Sequence, residues 1–246
     1  MPNRLSIIIP VYNEMATVAT LLNRVVTYPL EGIEKEIIVI ESNSMDGSRS
    51  VVQKFDAEAK IKAIYENRPE GKGHAVRAGL AAATGDWILI QDADLEYEIS
   101  DYPTLLNPLK RGEAAFVLGS RHLGHQSWSY RSTSAVGTFM SVFINAGVWV
   151  YTQFFNQLYG QRLTDPATMF KVFRRDCLQG LTFHSNGFDL DWEIVAKLVR
   201  KGFTPLEFPV TYRSRGFNEG KKVRLWRDGW VSLVAILRYR FGSLSQ

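Results

Sequence analysis

Trp87-Ile88-Leu89-Ile90-Gln91-Asp92-Ala93-Asp94-Leu95-Glu96 passes without a break from an apolar run into an acidic cluster. The run is too short for a helix and predicts a buried strand. Carboxylates crowded at the end of such a strand repel one another unless a cation lies between them, and hard oxygen donors suit Mg²⁺ or Mn²⁺. If the extended conformation persists, side chains alternate and Asp92, Asp94 and Glu96 share one face. The competing reading is a solvated turn, which so short a pattern leaves open.

The preceding chain supplies the context for that strand. Leu5–Val11, Glu36–Ile40 and Ile61–Tyr65 read as strands, and Thr17–Val26, Ser48–Phe55 and Ala75–Ala83 as the helices between them. Strand and helix in alternation imply βαβ units: an α/β fold with a mostly parallel central sheet and helices on both faces. Ligands bind at the carboxyl ends of such strands. The turns carrying Tyr12 and Glu14, Glu41 and Ser42, and Asp92 and Asp94 therefore meet at one edge, the predicted nucleotide site.

Farther on, Ala114–Leu118 reads as a strand and Phe188–Leu198 as a helix stopped at Lys201-Gly202. Pro205–Tyr212, with two prolines, reads as an edge strand. Arg213, Arg215, Lys221, Lys222, Arg224 and Arg227 crowd the next segment, with Gly216 and Gly220 as hinges of an anion-binding loop. Trp230–Phe241 predicts an amphipathic helix with Trp230, Leu233, Ile236 and Leu237 on one side. Residues 1–227 are assigned to one domain and 228–246 to a C-terminal helix and tail.

The 246 residues are 46% hydrophobic and 22% charged, enough for one sizeable core. The single cysteine excludes an internal disulfide framework and a cysteine-rich metal site. A net charge of +4 and a pI near 9.1 favour anionic partners: a nucleotide diphosphate, a lipid phosphate, nucleic acid or an anionic membrane. Met1–Arg4 leads into a short strand without the apolar core of a signal peptide, so a cytoplasmic start is expected. The charge-free stretch Ser132–Gln161 is interrupted by polar residues, and predicts an amphipathic or buried helix rather than a membrane span.

Ile9-Pro10-Val11-Tyr12-Asn13-Glu14, the turn Glu41–Ser48, Gly71-Lys72-Gly73-His74-Ala75, Ala83-Thr84-Gly85-Asp86, Asp92-Ala93-Asp94 and Gly119-Ser120-Arg121 together resemble the family 2 glycosyltransferases of the GT-A fold. Asp165, Thr168–Arg174, Glu193 and Arg215–Lys221 are most similar to its polyprenyl-phosphate glycosyltransferases, the dolichol-phosphate mannose synthases among them. The resemblance implies that Pro10, Tyr12, Glu14 and Glu41 line the base and ribose pocket and that Asp92 and Ala93 touch the nucleoside. It implies that Asp94 and Glu96 hold Mg²⁺ or Mn²⁺ against the diphosphate. Arg121, Arg215 and Lys221 would then contact the phosphates or an acceptor phosphate. Where many members carry paired aspartates, this chain has Glu41-Ser42, which leaves the donor base open.

The function implied is transfer of a hexose, mannose or glucose, from a nucleotide diphosphate sugar to a polyprenyl or dolichyl phosphate, with inversion. Asp94 and Arg121 would be catalytic, and Asp165 and Glu193 are candidate bases if the acceptor is a hydroxyl. Membrane contact is expected to be peripheral, at the cytoplasmic face, through the Ser132–Tyr159 stretch and the basic tail. The alternatives are transfer to a soluble saccharide or small-molecule hydroxyl, and a non-catalytic protein binding anionic lipid or nucleic acid. A nucleic-acid partner is not expected, because the acidic cluster argues against a mere scaffold.

Overall fold

The computed structural model describes residues 3–123, 135–213 and 225–244, with the backbone alone at residues 135–145 and 225–228. Strands β1 (Asn3–Val11), β2 (Ile33–Glu41), β3 (Lys62–Tyr65) and β4 (Trp87–Ile90) alternate with helices α1 (Val18–Thr27), α2 (Ser48–Ala57) and α3 (Lys72–Ala82). There follow α4 (Tyr102–Lys110), β5 (Phe116–Ser120), α5 (Ala135–Tyr159), β6 (Lys171–Arg174), α6 (Leu190–Arg200), β7 (Leu206–Pro209) and α7 (Leu225–Phe241).

The strands form one sheet in the order β3-β2-β1-β4-β6-β5-β7. Right-handed crossovers carry β1 to β2 to β3 in one direction and β3 back to β4 in the other, so α1 and α2 cover one face and α3 the opposite one. Leu5, Ile7, Ile8, Ile9, Ile38, Val39 and Ile40 are fully or almost fully buried between these layers, each contributing about 1.5–3 kcal/mol. The α3 layer sits close: a Cβ on Gly79 would collide with Ile8 Cγ2.

The expected mostly parallel α/β sheet is present, with one addition. Strand β6 runs antiparallel to both β4 and β5, and neither it nor α4 was legible as an element. Lys171-Val172-Phe173-Arg174 has charged ends and is short, and Pro103 and Pro108 obscure the helix. Strand β7 is the expected edge strand, paired parallel to β5.

Helix α3 begins at Lys72, earlier than the expected Ala75. Gly71 takes φ 106°, and a Cβ on Gly73 would lie 2.6 Å from the Ser185 carbonyl, so the two glycines let the start of α3 press against residues 185–187. The Gly73 amide donates to the Asn186 carbonyl there (2.8 Å).

Helix α7 packs on α5 and α6, with Ala235, Ile236 and Tyr239 buried. Its Tyr239 carbonyl accepts from Arg200 (2.6 Å) and its Tyr239 hydroxyl bonds Ser185 (2.7 Å). The sequence-based face is thus divided: Ile236 turns inward, whereas Trp230 and Leu237 turn outward. Among the described residues no helix is long and apolar enough to cross a membrane.

Candidate active site

The carboxyl ends of β1 and β2 are joined by a lattice of short polar side chains. The Asn13 amide donates to Ser44 Oγ (2.9 Å), the Met45 amide to Asn13 Oδ1 (3.0 Å), the Glu14 amide to Ser48 Oγ (2.9 Å) and the Met15 amide to Asp46 Oδ2 (2.9 Å). Asn13 and Asn43 adopt φ of 50° and 55°, which their short polar side chains tolerate. Glu41 lies beneath this lattice, fully buried. Its Oε1 accepts the Ser44 amide (2.6 Å), while Oε2 takes no hydrogen bond and faces the Arg49 guanidinium at 3.4 Å. A buried carboxylate oxygen that accepts no hydrogen bond suits a base N–H. Pro10, Tyr12 and Glu14 stand on the same rim, Tyr12 exposed and Glu14 in the turn before α1, where its carbonyl accepts the Val18 amide (2.8 Å). Thr17 donates to the Ala93 carbonyl (2.7 Å), tying this rim to the acidic turn.

Strand β4 ends at Ile90, and Gln91–Glu96 is a turn in which Leu95 has φ 61°. The expectation that Asp92, Asp94 and Glu96 share a strand face therefore fails, because the extended conformation does not persist. Asp92 Oδ1 meets Lys72 Nζ at 2.6 Å, Asp94 Oδ1 accepts the Glu96 amide (3.1 Å), and Glu96 accepts the Tyr212 hydroxyl. Burial pushes the Tyr212 phenol far above its ordinary range, so it stays a donor. Burial opposes the Lys72 charge, but Asp92, Asp191 and Asp94 hold the ammonium above its ordinary range.

Among the described residues no three His, Cys, Asp or Glu side chains converge as a ready-made metal cage. The donor set nevertheless fits a hard divalent ion, which is commonly held by one or two carboxylates and completed by substrate phosphate oxygens. Among the described residues, Asp92 is paired with Lys72, Asp165 with Arg121 and Asp191 with Lys171. Asp94 and Glu96 are the residues that would hold the ion.

Arg121 follows β5 and forks onto Asp165, Nε to Oδ2 at 2.7 Å and Nη2 to Oδ1 at 2.8 Å. Its guanidinium also lies over the Tyr212 ring, 5.3 Å from the centroid. Asp165 is fixed from behind by Glu207, whose carboxylate accepts the amides of Thr164 (2.7 Å) and Asp165 (2.8 Å). Glu193 stands elsewhere: fully buried, it accepts the amides of His184 (3.0 Å) and Ser185 (2.8 Å) and pairs with Lys197 (2.8 Å). Arg215 and Lys221 lie outside the described residues. Lys72, Tyr212, Asp191 and Lys171 were not singled out from the sequence; only Lys72 had a signal, its place between two glycines.

Residues 6–181 match the model of glycosyl transferase family 2. The chain belongs to that family. It is 27% identical over 222 residues to a dolichol-phosphate mannosyltransferase of Pyrococcus furiosus, which covers 89% of this chain and 59% of that protein. It is 25% identical over 238 residues to the glycosyltransferase AglJ of Haloferax volcanii, covering 96% of this chain and 72% of that one. The chain thus spans well under two thirds of the length of the first of these relatives. Glucosyl-3-phosphoglycerate synthase from Mycobacterium tuberculosis, in complex with Mn²⁺, UDP and phosphoglyceric acid, superposes with a TM-score of 0.70 at 19% identity, over 98% of this chain and 80% of that one. This likeness shows the fold: the GT-A architecture expected from the sequence.

Proposed function

We propose that this chain is a metal-dependent, inverting glycosyltransferase that moves a hexose from a nucleoside diphosphate sugar to a phosphate acceptor, a polyprenyl phosphate first among them. The observation that carries the reading is the fixed Arg121 guanidinium, coupled through the Tyr212 ring to the acidic turn at Glu96. That arrangement sets a cation for phosphate oxygens beside a place for a divalent ion. Glu41, Pro10, Tyr12 and Glu14 take the base and ribose, Asp92 and Ala93 the nucleoside, and Arg121 the phosphates; Arg215 and Lys221 are proposed to join them.

Mg²⁺ or Mn²⁺, held by Asp94 and Glu96, would supply the positive charge that a departing nucleoside diphosphate requires. Arg121, its Nε and Nη2 held by Asp165, adds a fixed positive charge beside the phosphates at no reorganisation cost. An acceptor phosphate oxygen attacks the anomeric carbon from the face opposite the diphosphate: the new C–O bond forms as the old one breaks, and the configuration inverts. A phosphate acceptor is already an anion and needs no base. Both oxygens of Asp165 are engaged by Arg121 and both of Glu193 by amides and Lys197, so neither of these two is placed to take a proton from a hydroxyl acceptor.

The dolichol-phosphate mannosyltransferase relative favours a lipid phosphate and mannose; the synthase crystallised with UDP and phosphoglyceric acid favours a small soluble acceptor and keeps glucose in view. Exposed Trp149, Val150, Trp230 and Phe241 on α5 and α7 support peripheral contact with a membrane surface.

The test is a thermal-shift series with GDP and UDP, each with and without Mn²⁺, followed by incubation of the binding nucleotide's sugar with extracted polyprenyl phosphate. A metal-dependent rise with one nucleotide, and sugar entering the lipid phase, is the expected result. Transfer to phosphoglyceric acid instead would move the acceptor to the soluble class, and no shift with any nucleotide would sink the transferase reading.

A further inference from the structure

Lys171 is fully buried in β6, and among the described residues its ammonium makes a single hydrogen bond, to Asp191 Oδ1 at 2.9 Å. A buried ammonium carries three donors and is costly to strand, so spending it on one partner fixes that partner's orientation. The partner stands in the first turn of α6 and is itself only 8% exposed. Its Oδ1 is taken by Lys171, and its Oδ2 accepts no hydrogen bond from any described residue.

Asp191 sits within electrostatic reach of both Lys72 and Asp92, the pair at the edge of the acidic turn. Lys72 Nζ bonds Asp92 with one of its donors and lies 5.6 Å from the centroid of the Phe188 ring, which is 39% exposed. The Asp191 amide in turn bonds the Phe188 carbonyl (3.3 Å). Beside the acidic turn the fold thus presents an open carboxylate oxygen, an ammonium with unspent donors and an aromatic face.

We propose that Asp191, Lys72 and Phe188 form the subsite for the hexose of the donor, with Lys171 as the residue that positions Asp191. The inference rests on the glycosyl-transfer reading and adds to it the place where the sugar is read. Vicinal hydroxyls are donors and acceptors side by side, which a carboxylate beside an ammonium matches. The apolar C–H face of a pyranose packs on an exposed ring. A second metal ion is a poor occupant, because the two lysines already balance Asp191 and Asp92.

The experiment compares a nucleotide with its sugar conjugate. Wild type, Asp191→Asn and Phe188→Ala are titrated calorimetrically with UDP, UDP-glucose, GDP and GDP-mannose in Mn²⁺, with thermal melts to verify folding. Asparagine keeps the Lys171 contact at Oδ1 and replaces the open oxygen by a donor. The expected result is that Asp191→Asn binds the nucleoside diphosphate within about twofold of wild type, whereas its affinity for the sugar conjugate falls about tenfold to a hundredfold, the range of hydrogen bonds to a charged group. Phe188→Ala shows the same selectivity at smaller size, and Lys171→Met reproduces the Asp191→Asn pattern. Equal weakening of nucleotide and conjugate, or no weakening of either, overturns the subsite. So does unchanged binding with lost turnover, which would make Asp191 a base. If wild type binds no nucleotide at all, the transferase reading itself has failed, a result distinct from these.

Discussion

Arg121 and Asp165 meet fork to fork, two parallel hydrogen bonds of 2.7 and 2.8 Å reinforced by the Arg121 amide donating to Asp165 Oδ2 at 3.1 Å. Asp165 is 1% exposed, and although burial opposes its charge, the guanidinium holds its carboxyl below the ordinary range. Removing the carboxylate takes from a mostly buried cation the bidentate partner that the fold gives it. Asp165→Ala should therefore lose about 3–5 kcal/mol in urea denaturation. A depressed folded-state pKa gives stability that is complete above the unfolded aspartate value of about 3.9 and is lost as pH falls toward the folded value. Wild type should weaken through that window and Asp165→Asn should show less of the dependence; identical acid profiles would remove the pair from the stability account.

Glu193 was a candidate base in the sequence and stands in the structure as an anchor. Burial opposes its charge, yet Lys197 and the amides of residues 184 and 185 hold its carboxyl below the ordinary range. Glu193→Gln should cost about 3 kcal/mol, since Lys197 is then buried unpaired. Because the carboxylate is spent on the segment before α6, kcat per folded molecule and the pH–rate profile should be unchanged. Loss of the acid limb of that profile in the variant would restore the base role.

The half of the molecule built from βαβ units was legible because each strand there is an apolar run and each helix carries its own period. The position of the candidate site residues at strand ends was legible for the same reason: Glu41 and Asp92 follow runs whose ends are sharp. What lay hidden depended on tertiary contact. Lys171 reads as a surface charge until β6 is seen between β4 and β5, and Asp191 as a solvated helix-start carboxylate until Lys171 is found beneath it. The acidic turn was placed correctly, but its internal geometry was not, since Leu95 takes a left-handed conformation that no pattern of carboxylates announces.

Tyr212 donates to Glu96, one of the two residues proposed to hold the metal. Partners behind a ligand commonly set about 10- to 100-fold of metal affinity by fixing its orientation. Tyr212→Phe should raise the Mn²⁺ dissociation constant, measured by electron paramagnetic resonance with nucleoside diphosphate present, by about tenfold. Asp94→Ala should abolish the bound signal altogether. Unchanged Mn²⁺ affinity in Tyr212→Phe would mean that Glu96 needs no such support or holds no metal.

Helix α7 bears a second apolar stripe on its outer side: Trp230, Val234, Leu237 and Phe241 are 67%, 44%, 39% and 75% exposed at spacings of four, three and four. Its inner side is already satisfied by Ala235, Ile236 and Tyr239, so the outer stripe does not serve the core. Exposed Arg238 and half-buried Arg240 flank it, as suits a helix lying on an anionic bilayer with tryptophan at the headgroup level. Arginines on both copies would repel across a two-fold contact, which favours lipid as the occupant. Sedimentation with phosphatidylglycerol vesicles should therefore exceed that with phosphatidylcholine. In Trp230→Ser/Phe241→Ser, partitioning should fall about tenfold or more, from the loss of two large side chains each worth roughly 1.5–3 kcal/mol when buried. The fold should survive the double change because both residues lie outside the packed face. If the variant instead keeps its vesicle binding and loses a dimer seen by light scattering, the stripe belongs to a second copy of the chain and not to a membrane.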